Sequence, residues 1–283
     1  MTLFCIFAVE IYNKKEMKFV SLGSGSSGNC YLLQAGGTSI LLDAGIGIRA
    51  LRKFLKDFGL SLEEDIAAVF VTHDHADHIK SVGCIACDYG KTIYATRLVH
   101  EGIACNRCLK IMVPNERKGF VEKGVPVEIG SLRITPFDVP HDSHDCVGYV
   151  VEADGVRFCL ATDVGHVTEV IQEQVGLANY LVLEANHDVN MLMMGKYSQY
   201  LKDRISSDRG HLNNEQAACL LAEYATPQLR HVWLCHLSEE NNHPVLARKT
   251  AEAVLRGHGI IPGVDFELDI LKRKTPSQMY SLV

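Results

Sequence analysis

The sequence of 283 residues lacks three features that would each define a class of protein. It has no uncharged apolar run near the roughly 20 residues that cross a bilayer, which excludes an integral membrane protein. It has no excess of positive charge, since 28 Lys and Arg stand against 34 Asp and Glu. The net charge of −6 excludes a uniformly basic nucleic-acid-coating protein, although a local basic patch stays open. Repeats and low-complexity tracts are also missing, and 47% hydrophobic residues argue against disorder.

An export signal is not predicted either. The apolar residues 3–9 have no basic flank and no clear small-residue cleavage site. We therefore expect a cytoplasmic protein, in which the ten cysteines stay reduced and need not pair. Met17 opens the first well-patterned strand, so we predict an N-terminal extension over 1–16 and a single domain over 17–283.

Alternating and 3.6-residue hydrophobic patterns predict strand hairpins in each half of the chain, with helices between them. The predicted strands are 17–22, 30–34, 39–42, 67–71, 92–95, 125–129, 132–137, 147–152, 156–161, 180–184, 232–235 and 266–271. The predicted helices are 48–58, 78–89, one near 97, 167–175, 214–224 and 244–258. Because hairpins dominate each half, we predict an α/β fold with two sheets packed together and helices outside, not one doubly wound sheet.

Two motifs imitate cofactor sites. Gly23, Gly25 and Gly28 match the G-x-G-x-x-G pattern of dinucleotide sites, but strand-like residues follow where that site needs a helix N-terminus. A strand-to-strand turn is favoured. Two Cys-x-x-Cys spacings, 84–87 and 105–108, match a structural zinc site, but the first lies on a predicted helix and both lack turn residues. Plain thiols are favoured, and structural zinc stays the weaker alternative.

The strongest signal is a cluster of His and Asp directly after the buried strand 67–71, in the order Thr72-His73-Asp74-His75-Ala76-Asp77-His78. His73 and His75 are two residues apart in an extended segment, so both can face one metal. Asp77 and His78 lie where the chain turns into a helix and can face a second metal. The cluster therefore predicts two adjacent metal sites.

One loop cannot fill two coordination shells, so further ligands must come from other strand ends. Four candidates follow predicted strands: His141, His144, Asp163 and His236. Each alone is a weak signal, because a lone His or Asp at a strand end is more often a cap or turn residue. Together with the His-Asp cluster they form one consistent set.

This ordered series resembles the metallo-β-lactamase superfamily, whose hydrolases carry an H-x-H-x-D-H signature. The resemblance implies a four-layer αββα sandwich with two divalent metal ions, zinc or manganese. It implies one metal on His73, His75 and His141, a second on Asp77, His78 and His236, and Asp163 bridging them. His141 is preferred over His144, which stays open as a replacement or an additional ligand. Asp43 resembles the family's acid that orients a ligand His; the alternative is a turn residue.

A narrower resemblance runs from Met17 nearly to the C-terminus. The chain is similar to the YycJ/WalJ group of bacterial exonucleases in the segments Gly23-Ser24-Gly25-Ser26-Ser27-Gly28-Asn29, Leu183-Glu184-Ala185-Asn186-His187-Asp188, Gly210-His211-Leu212-Asn213-Asn214-Glu215 and His236-Leu237-Ser238-Glu239-Glu240-Asn241-Asn242. The resemblance implies a cytoplasmic 5′-to-3′ exonuclease on double-stranded DNA with a role in repair. His211 would contact the scissile phosphate or aid departure of the leaving oxygen, and Asp77 would orient the attacking water.

The segment 196–211 offers candidate substrate contacts. Lys196, Arg204 and Arg209 can meet phosphate, and Tyr197 can stack on a base. A solvated helix with ordinary charge pairs is an equal alternative. Two other functions also stay open, namely a thioester hydrolase of the glyoxalase II kind and a hydrolase of small cyclic phosphodiesters or RNA ends.

Overall fold

The structure is a computed structural model that describes residues 16–283, and its strands form two sheets. The strands are β1 Met17–Gly23, β2 Cys30–Ala35, β3 Thr38–Leu42, β4 Ile66–Phe70, β5 Thr92–Ala95, β6 Lys118–Phe120, β7 Val127–Ile129, β8 Leu132–Asp138, β9 Val147–Ala153, β10 Val156–Ala161, β11 Tyr180–Glu184, β12 His231–Cys235, β13 Glu267–Ile270 and β14 Tyr280–Leu282. The helices are α1 Ile48–Asp57, α2 Ala76–Ile79, α3 Val82–Asp88, α4 Arg97–Cys105, α5 Glu169–Leu177, α6 Val189–Met194, α7 Gln199–Ile205, α8 Asn214–Tyr224 and α9 Pro244–Gly257.

Each sheet has seven strands and mixes hairpins with parallel pairs. The first has the order β14-β1-β2-β3-β4-β5-β6, and the second β13-β12-β11-β10-β9-β8-β7. Strands β3 to β6 pair in parallel, as do β10 to β13. The loops after parallel strands therefore leave each sheet at one edge, which is where ligands collect in such sheets.

Three apolar layers hold the sheets and helices together. Aromatic residues fill the space between the sheets, among them Phe19, Phe70, Tyr149, Phe158 and Trp233. The outer face of the first sheet packs on α1, α3 and α4, and that of the second packs on α5, α8 and α9. The predicted four-layer αββα sandwich is confirmed.

The helix predicted over 78–89 is instead two helices, α2 and α3, separated at Lys80 and Ser81. The Ser81 hydroxyl donates to the Ile46 carbonyl at 2.6 Å, and its N–H donates to the Ala44 carbonyl at 2.9 Å. These tertiary hydrogen bonds replace the ones that a continuous helix would make.

Four elements were not predicted, namely α6, α7, β6 and β14. The two helices have only six and seven residues, too few to show a helical period, and α7 is mostly polar. Strand β14 takes three residues and is defined by its pairing with β1, so its signal is tertiary. The last described strand, β14, therefore belongs to the first sheet. The strand predicted over 266–271 is β13 of the second sheet.

The two motifs that imitate cofactor sites have the following surroundings in the structure. The turn at Gly23–Gly28 joins β1 directly to β2, with no helix to hold a pyrophosphate. Within residues 16–283, the groups that could hold a metal contain no cysteine, and the nine cysteines of that region are free thiols. No helix of this part of the chain is long and apolar enough to span a membrane. The proposed extension begins outside the described residues, so its status and the single domain over 17–283 stay predictions.

Candidate metal centre

The His-Asp cluster after β4 meets loops from the second sheet at one edge of the sandwich. His73, His75 and His141 form the first group, in which one ligand atom from each lies within 4.8 Å of the others. His141 Nε2 is 3.3 Å from His75 Nδ1. His73 Nε2 is buried without a hydrogen-bond partner. A buried, unpartnered imidazole nitrogen is costly unless it binds something, so this group fits a cation.

Asp77, His78 and His236 form the second group, again within 4.8 Å. Asp77 Oδ2 lies 3.3 Å from His236 Nε2 and 3.6 Å from His78 Nε2. The family resemblance implies the same three residues as one ligand set, and two imidazoles with one carboxylate are donors that zinc and manganese both accept.

Asp163 lies between the two groups. Its Oδ2 is 3.2 Å from His78 Nε2, and its Oδ1 is 3.7 Å from His141 Nε2. Oδ1 is also 3.4 Å from His236 Nδ1. One buried carboxylate thus touches histidines of both groups, which is the arrangement that a bridging ligand requires.

The pKa values of two histidines of the first group and of Asp163 are shifted in the directions that suit metal binding. Burial lowers the pKa of His73 well below its ordinary value and lowers the pKa of His141 to about 4. Burial opposes ionisation of Asp163, but His236 and His78 beside it hold the pKa of its carboxyl well below the ordinary value. Neutral imidazoles and an ionised carboxylate are the forms that bind metals.

Asp43 lies behind His78, as the sequence predicted for an orienting acid. Its Oδ2 is 2.7 Å from His78 Nδ1, and its Oδ1 accepts the Thr72 N–H at 2.8 Å. The contact leaves His78 Nε2 directed at Asp77 and Asp163. Asp43 therefore fixes both the ring of His78 and the start of the His-Asp cluster.

Three residues of this centre have left-handed backbone, with φ of 60° at Asp43, 57° at Asp163 and 53° at His236. Side-chain-bearing residues rarely adopt this conformation, and such strain concentrates at functional sites. Each of the three follows the end of a strand, so the turn directs its side chain toward the others. Local sequence carries no signal for these angles.

The glycine-rich turn after β1 is hydrogen-bonded to the backbone of two ligand candidates. The Ser24 hydroxyl accepts the His236 N–H at 2.9 Å, and the Asn29 N–H donates to the Asp77 carbonyl at 2.7 Å. A Cβ on Gly45 would lie 1.6 Å from the Asp77 carbonyl oxygen, so only glycine allows this approach. The turn thus holds one candidate ligand from each sheet.

Sequence reasoning missed one functional side chain, Glu184, at the end of β11. Its Oε1 lies 2.8 Å from His211 Nδ1 and 2.9 Å from His236 Nδ1. Its Oε2 accepts the N–H groups of Val164 and Leu212 at 2.8 and 3.1 Å. Glu184 lies in one of the segments that carry the family resemblance and closes a buried strand, but neither signal gave it a role.

His211 stands over the centre, and its imidazole is held by Glu184. Burial disfavours its charge, but the Glu184 carboxylate raises the pKa of His211 above the ordinary value. Its side chain is 19% exposed, and Nε2 has no hydrogen-bond partner within residues 16–283. The ring can therefore present one N–H to a bound substrate. His211, Glu184, Asp163 and His236 also form a group that could hold a metal.

His144 turns away from the centre. Its Nδ1 lies 2.8 Å from Asp74 Oδ2, and its side chain is half exposed. None of the metal-capable groups in residues 16–283 includes it. The geometry therefore favours His141 over His144 as the ligand candidate.

The candidate substrate segment is built from α7 and its flanking residues. Arg204 pairs with Asp142, and Arg209 Nη2 donates to the His141 carbonyl at 2.7 Å. Both guanidinium groups are therefore bonded to the loop that carries His141. Lys196 is exposed, and the half-buried Tyr197 lines a cavity of about 170 Å³ that also borders His211.

Comparison with known proteins identifies the family. The Beta-lactamase superfamily domain matches residues 38–237 of this chain. The chain belongs to this superfamily. It is similar to "Exodeoxyribonuclease YycJ" of Bacillus anthracis, 33% identical over 263 residues that cover 93% of this chain and 98% of that protein. It is 35% identical over 251 residues to "Exodeoxyribonuclease WalJ" of Streptococcus pneumoniae, covering 89% and 93%.

A solved structure agrees on the fold. The metallo-beta-lactamase fold protein YhfI from Bacillus subtilis superposes with a TM-score of 0.68 at 20% identity, covering 94% of this chain and 99% of that one. The resemblance to the YycJ/WalJ group is confirmed, and the chain is a metal-dependent hydrolase of the metallo-β-lactamase fold. Proteins of this fold bind divalent metals, and the His-Asp groups provide suitable donors.

Proposed function

We propose that this hydrolase cleaves phosphodiester bonds of nucleic acid, as a 5′-to-3′ exonuclease on double-stranded DNA. The observation that carries the proposal is Asp163, which touches histidines of both groups and so brings two cation sites together. Two adjacent divalent ions are a recurring arrangement in nucleases and phosphatases. The exodeoxyribonuclease relatives support a nucleic acid substrate. A cytoplasmic role in DNA repair is part of the same proposal.

We assign the ligands as two sets joined by Asp163. His73, His75 and His141 would hold one divalent ion, and Asp77, His78 and His236 would hold the other. Zinc and manganese both suit these donors. Ions held there would supply Lewis acidity and would lower the pKa of a bound water.

The protein groups around the ions have separate tasks. Asp77 orients the attacking water with the carboxylate oxygen that does not face His236. His211 donates a proton from Nε2 to the leaving oxygen, because Glu184 holds Nδ1. Glu184 is a positioning residue, since it acts through His211 and His236.

Substrate contacts fall on two kinds of residue. Lys196 meets the phosphate backbone, and Tyr197, which lines the 170 Å³ cavity, stacks on a base. Arg204 and Arg209 act through the loop at 141–142 to which they are bonded, and so fix His141. This assignment refines the direct phosphate contacts that the sequence predicted for the two arginines.

A substrate panel tests the proposal. Metal-loaded protein is offered duplex DNA labelled at either end, single-stranded DNA, RNA, a cyclic phosphodiester and a thioester. We expect nucleotides to be released from the 5′ end of the duplex, and a phosphorothioate-blocked 5′ end should stop the reaction. Hydrolysis of the thioester or the cyclic phosphodiester with DNA left intact would contradict the proposal.

A further inference from the structure

The segment 80–123 carries a charge opposite in sign to that of the whole chain. The chain has a net charge of −6. This segment holds eight basic and four acidic residues: Lys80, Lys91, Arg97, Arg107, Lys110, Arg117, Lys118 and Lys123 against Asp88, Glu101, Glu116 and Glu122. A positive region on an acidic protein indicates attraction for a polyanion at that place.

Part of this region borders the metal centre directly. The Asn106 side chain donates to the Asp74 carbonyl at 2.7 Å, inside the His-Asp cluster. Gly102 packs so closely on Asp74 that a Cβ would lie 2.3 Å from Oδ2. Lys80 follows His78 by two residues. The loop 106–112 and Lys80 are therefore neighbours of the metal-binding edge.

Between this loop and α3 lies a cavity of about 260 Å³ with a lysine on either wall, Lys80 and Lys110. Its remaining lining consists of small and apolar residues, among them Ile48 and Leu109. The loop is fixed against the helix, since a Cβ on Gly83 would lie 1.8 Å from the Ile111 carbonyl oxygen. The close packing of the loop on α3 therefore fixes the shape of this cavity.

Three cations of this region, those nearest the metal-binding edge, are uncommitted. Lys80, Arg107 and Lys110 are exposed and take part in none of the ion pairs or side-chain hydrogen bonds of residues 16–283. The cations near α7 differ, because Arg204 and Arg209 are bonded to protein groups. The charge available to a substrate therefore lies more on the loop 106–112 than on the segment 196–209.

We infer that Lys80, Arg107 and Lys110 form a track for the phosphate backbone of the nucleic acid that enters the metal centre. The inference rests on the proposed nuclease function and adds the surface that guides the strand. Three unpaired cations beside an anion-cleaving centre match the charge of a phosphodiester chain. Contacts of this kind release counterions and are sensitive to salt.

Charge reversal at the three positions tests the track. The variant carries Lys80→Glu, Arg107→Glu and Lys110→Glu. The matched control carries Arg230→Glu, Lys249→Glu and Arg256→Glu, with the same change in charge on exposed residues elsewhere. Binding to a duplex with a phosphorothioate-blocked 5′ end is measured by fluorescence anisotropy across a salt series.

We expect the track variant to bind about tenfold or more weakly, and its slope of log affinity against log salt to fall by about 2 to 3. The control should keep the native slope. Hydrolysis of bis(p-nitrophenyl) phosphate should be unchanged, because that ester is too small to reach the track. A native salt slope in the track variant would overturn the inference.

Two further measurements keep the outcomes separate. If the triple variant has a lowered Tm, the single variants Lys80→Ala, Arg107→Ala and Lys110→Ala replace it, each with a slope smaller by about one. Unchanged slopes in all three would equally overturn the track. Failure of the native protein to hydrolyse any phosphodiester would instead remove the proposed function.

Discussion

The two sheets supply the candidate metal centre in different ways. The first sheet provides His73, His75, Asp77 and His78 from one loop after β4. The second provides His141, Asp163 and His236 from the ends of three separate strands, β8, β10 and β12. The first set depends on local spacing, whereas the second depends on strand order.

The supporting acids follow the same division. Asp43 serves one histidine of the first sheet, His78. Glu184 lies at the end of β11, between β10 and β12, and serves His211 and His236 together. The buried acid of the second sheet thus joins one ligand candidate, His236, to the proposed substrate contact His211, whereas the buried acid of the first sheet supports one ligand candidate alone.

The largest effect should come from removing the residue that joins the two sets. Asp163→Ala should abolish hydrolysis and lower metal content, measured by elemental analysis of purified protein. His75→Ala should do the same from the first sheet. Asp154→Ala is the control, since Asp154 also has left-handed backbone but lies in a hairpin turn. Full activity in Asp163→Ala would remove the dinuclear assignment.

His211→Ala should reduce turnover by about 10² to 10⁴, the usual contribution of a general acid. Metal content should stay native, because the ring is assigned to the substrate and not to a cation. His258→Ala, an exposed helix-end histidine, is the control. Loss of metal in His211→Ala would make His211 a ligand, which the group of Asp163, Glu184, His211 and His236 could accommodate.

The two supporting acids allow a direct test of the comparison. Glu184→Gln and Asp43→Asn should each lower metal affinity or activity by about 10- to 100-fold, as substitutions of residues that orient metal ligands do. Asp43→Asn should act through metal affinity alone. Glu184→Gln should also lower kcat in enzyme saturated with metal, because it frees His211. Glu223→Gln on α8 is the control. Full recovery of kcat in Glu184→Gln by excess metal would contradict the shared role.

The smallest effect is expected at Arg209. Arg209→Ala removes two hydrogen bonds to the His141 carbonyl at 3.0 and 2.7 Å and should weaken metal binding a few-fold. Lys196→Ala should instead raise KM for DNA with metal affinity unchanged. If Arg209→Ala instead raised KM for DNA and left metal affinity unchanged, Arg209 would contact the substrate phosphate directly.

The sequence predicted the fold and the positions that converge, because spacing and strand ends are local signals. His73 to His78 are visible as a cluster, and Asp163 and His236 follow predicted strands. Glu184 was missed since a carboxylate closing a buried strand is recognised only when its neighbours in the sheet are known. The helices α6 and α7 were missed because they have only six and seven residues, too few to show a helical period.

Which surface charges are paired could not be predicted from the sequence either. Segment 196–209 has an ordinary local charge pattern, and only coordinates reveal that Arg204 and Arg209 are bonded to the loop at 141–142. The free cations of the loop 106–112 gain meaning from Asn106, which ties that loop to Asp74. Pairing of charges is a property of tertiary structure and is absent from composition.

The left-handed backbone at Asp43, Asp163 and His236 costs conformational free energy at positions whose side chains the metal centre needs. Glycine at any of these positions would relieve backbone strain of order 1 kcal/mol while removing the side chain. Engineering for thermal resistance that follows backbone preference alone would therefore remove residues of the metal centre. Retained function would require that stabilising changes be sought away from these three turns.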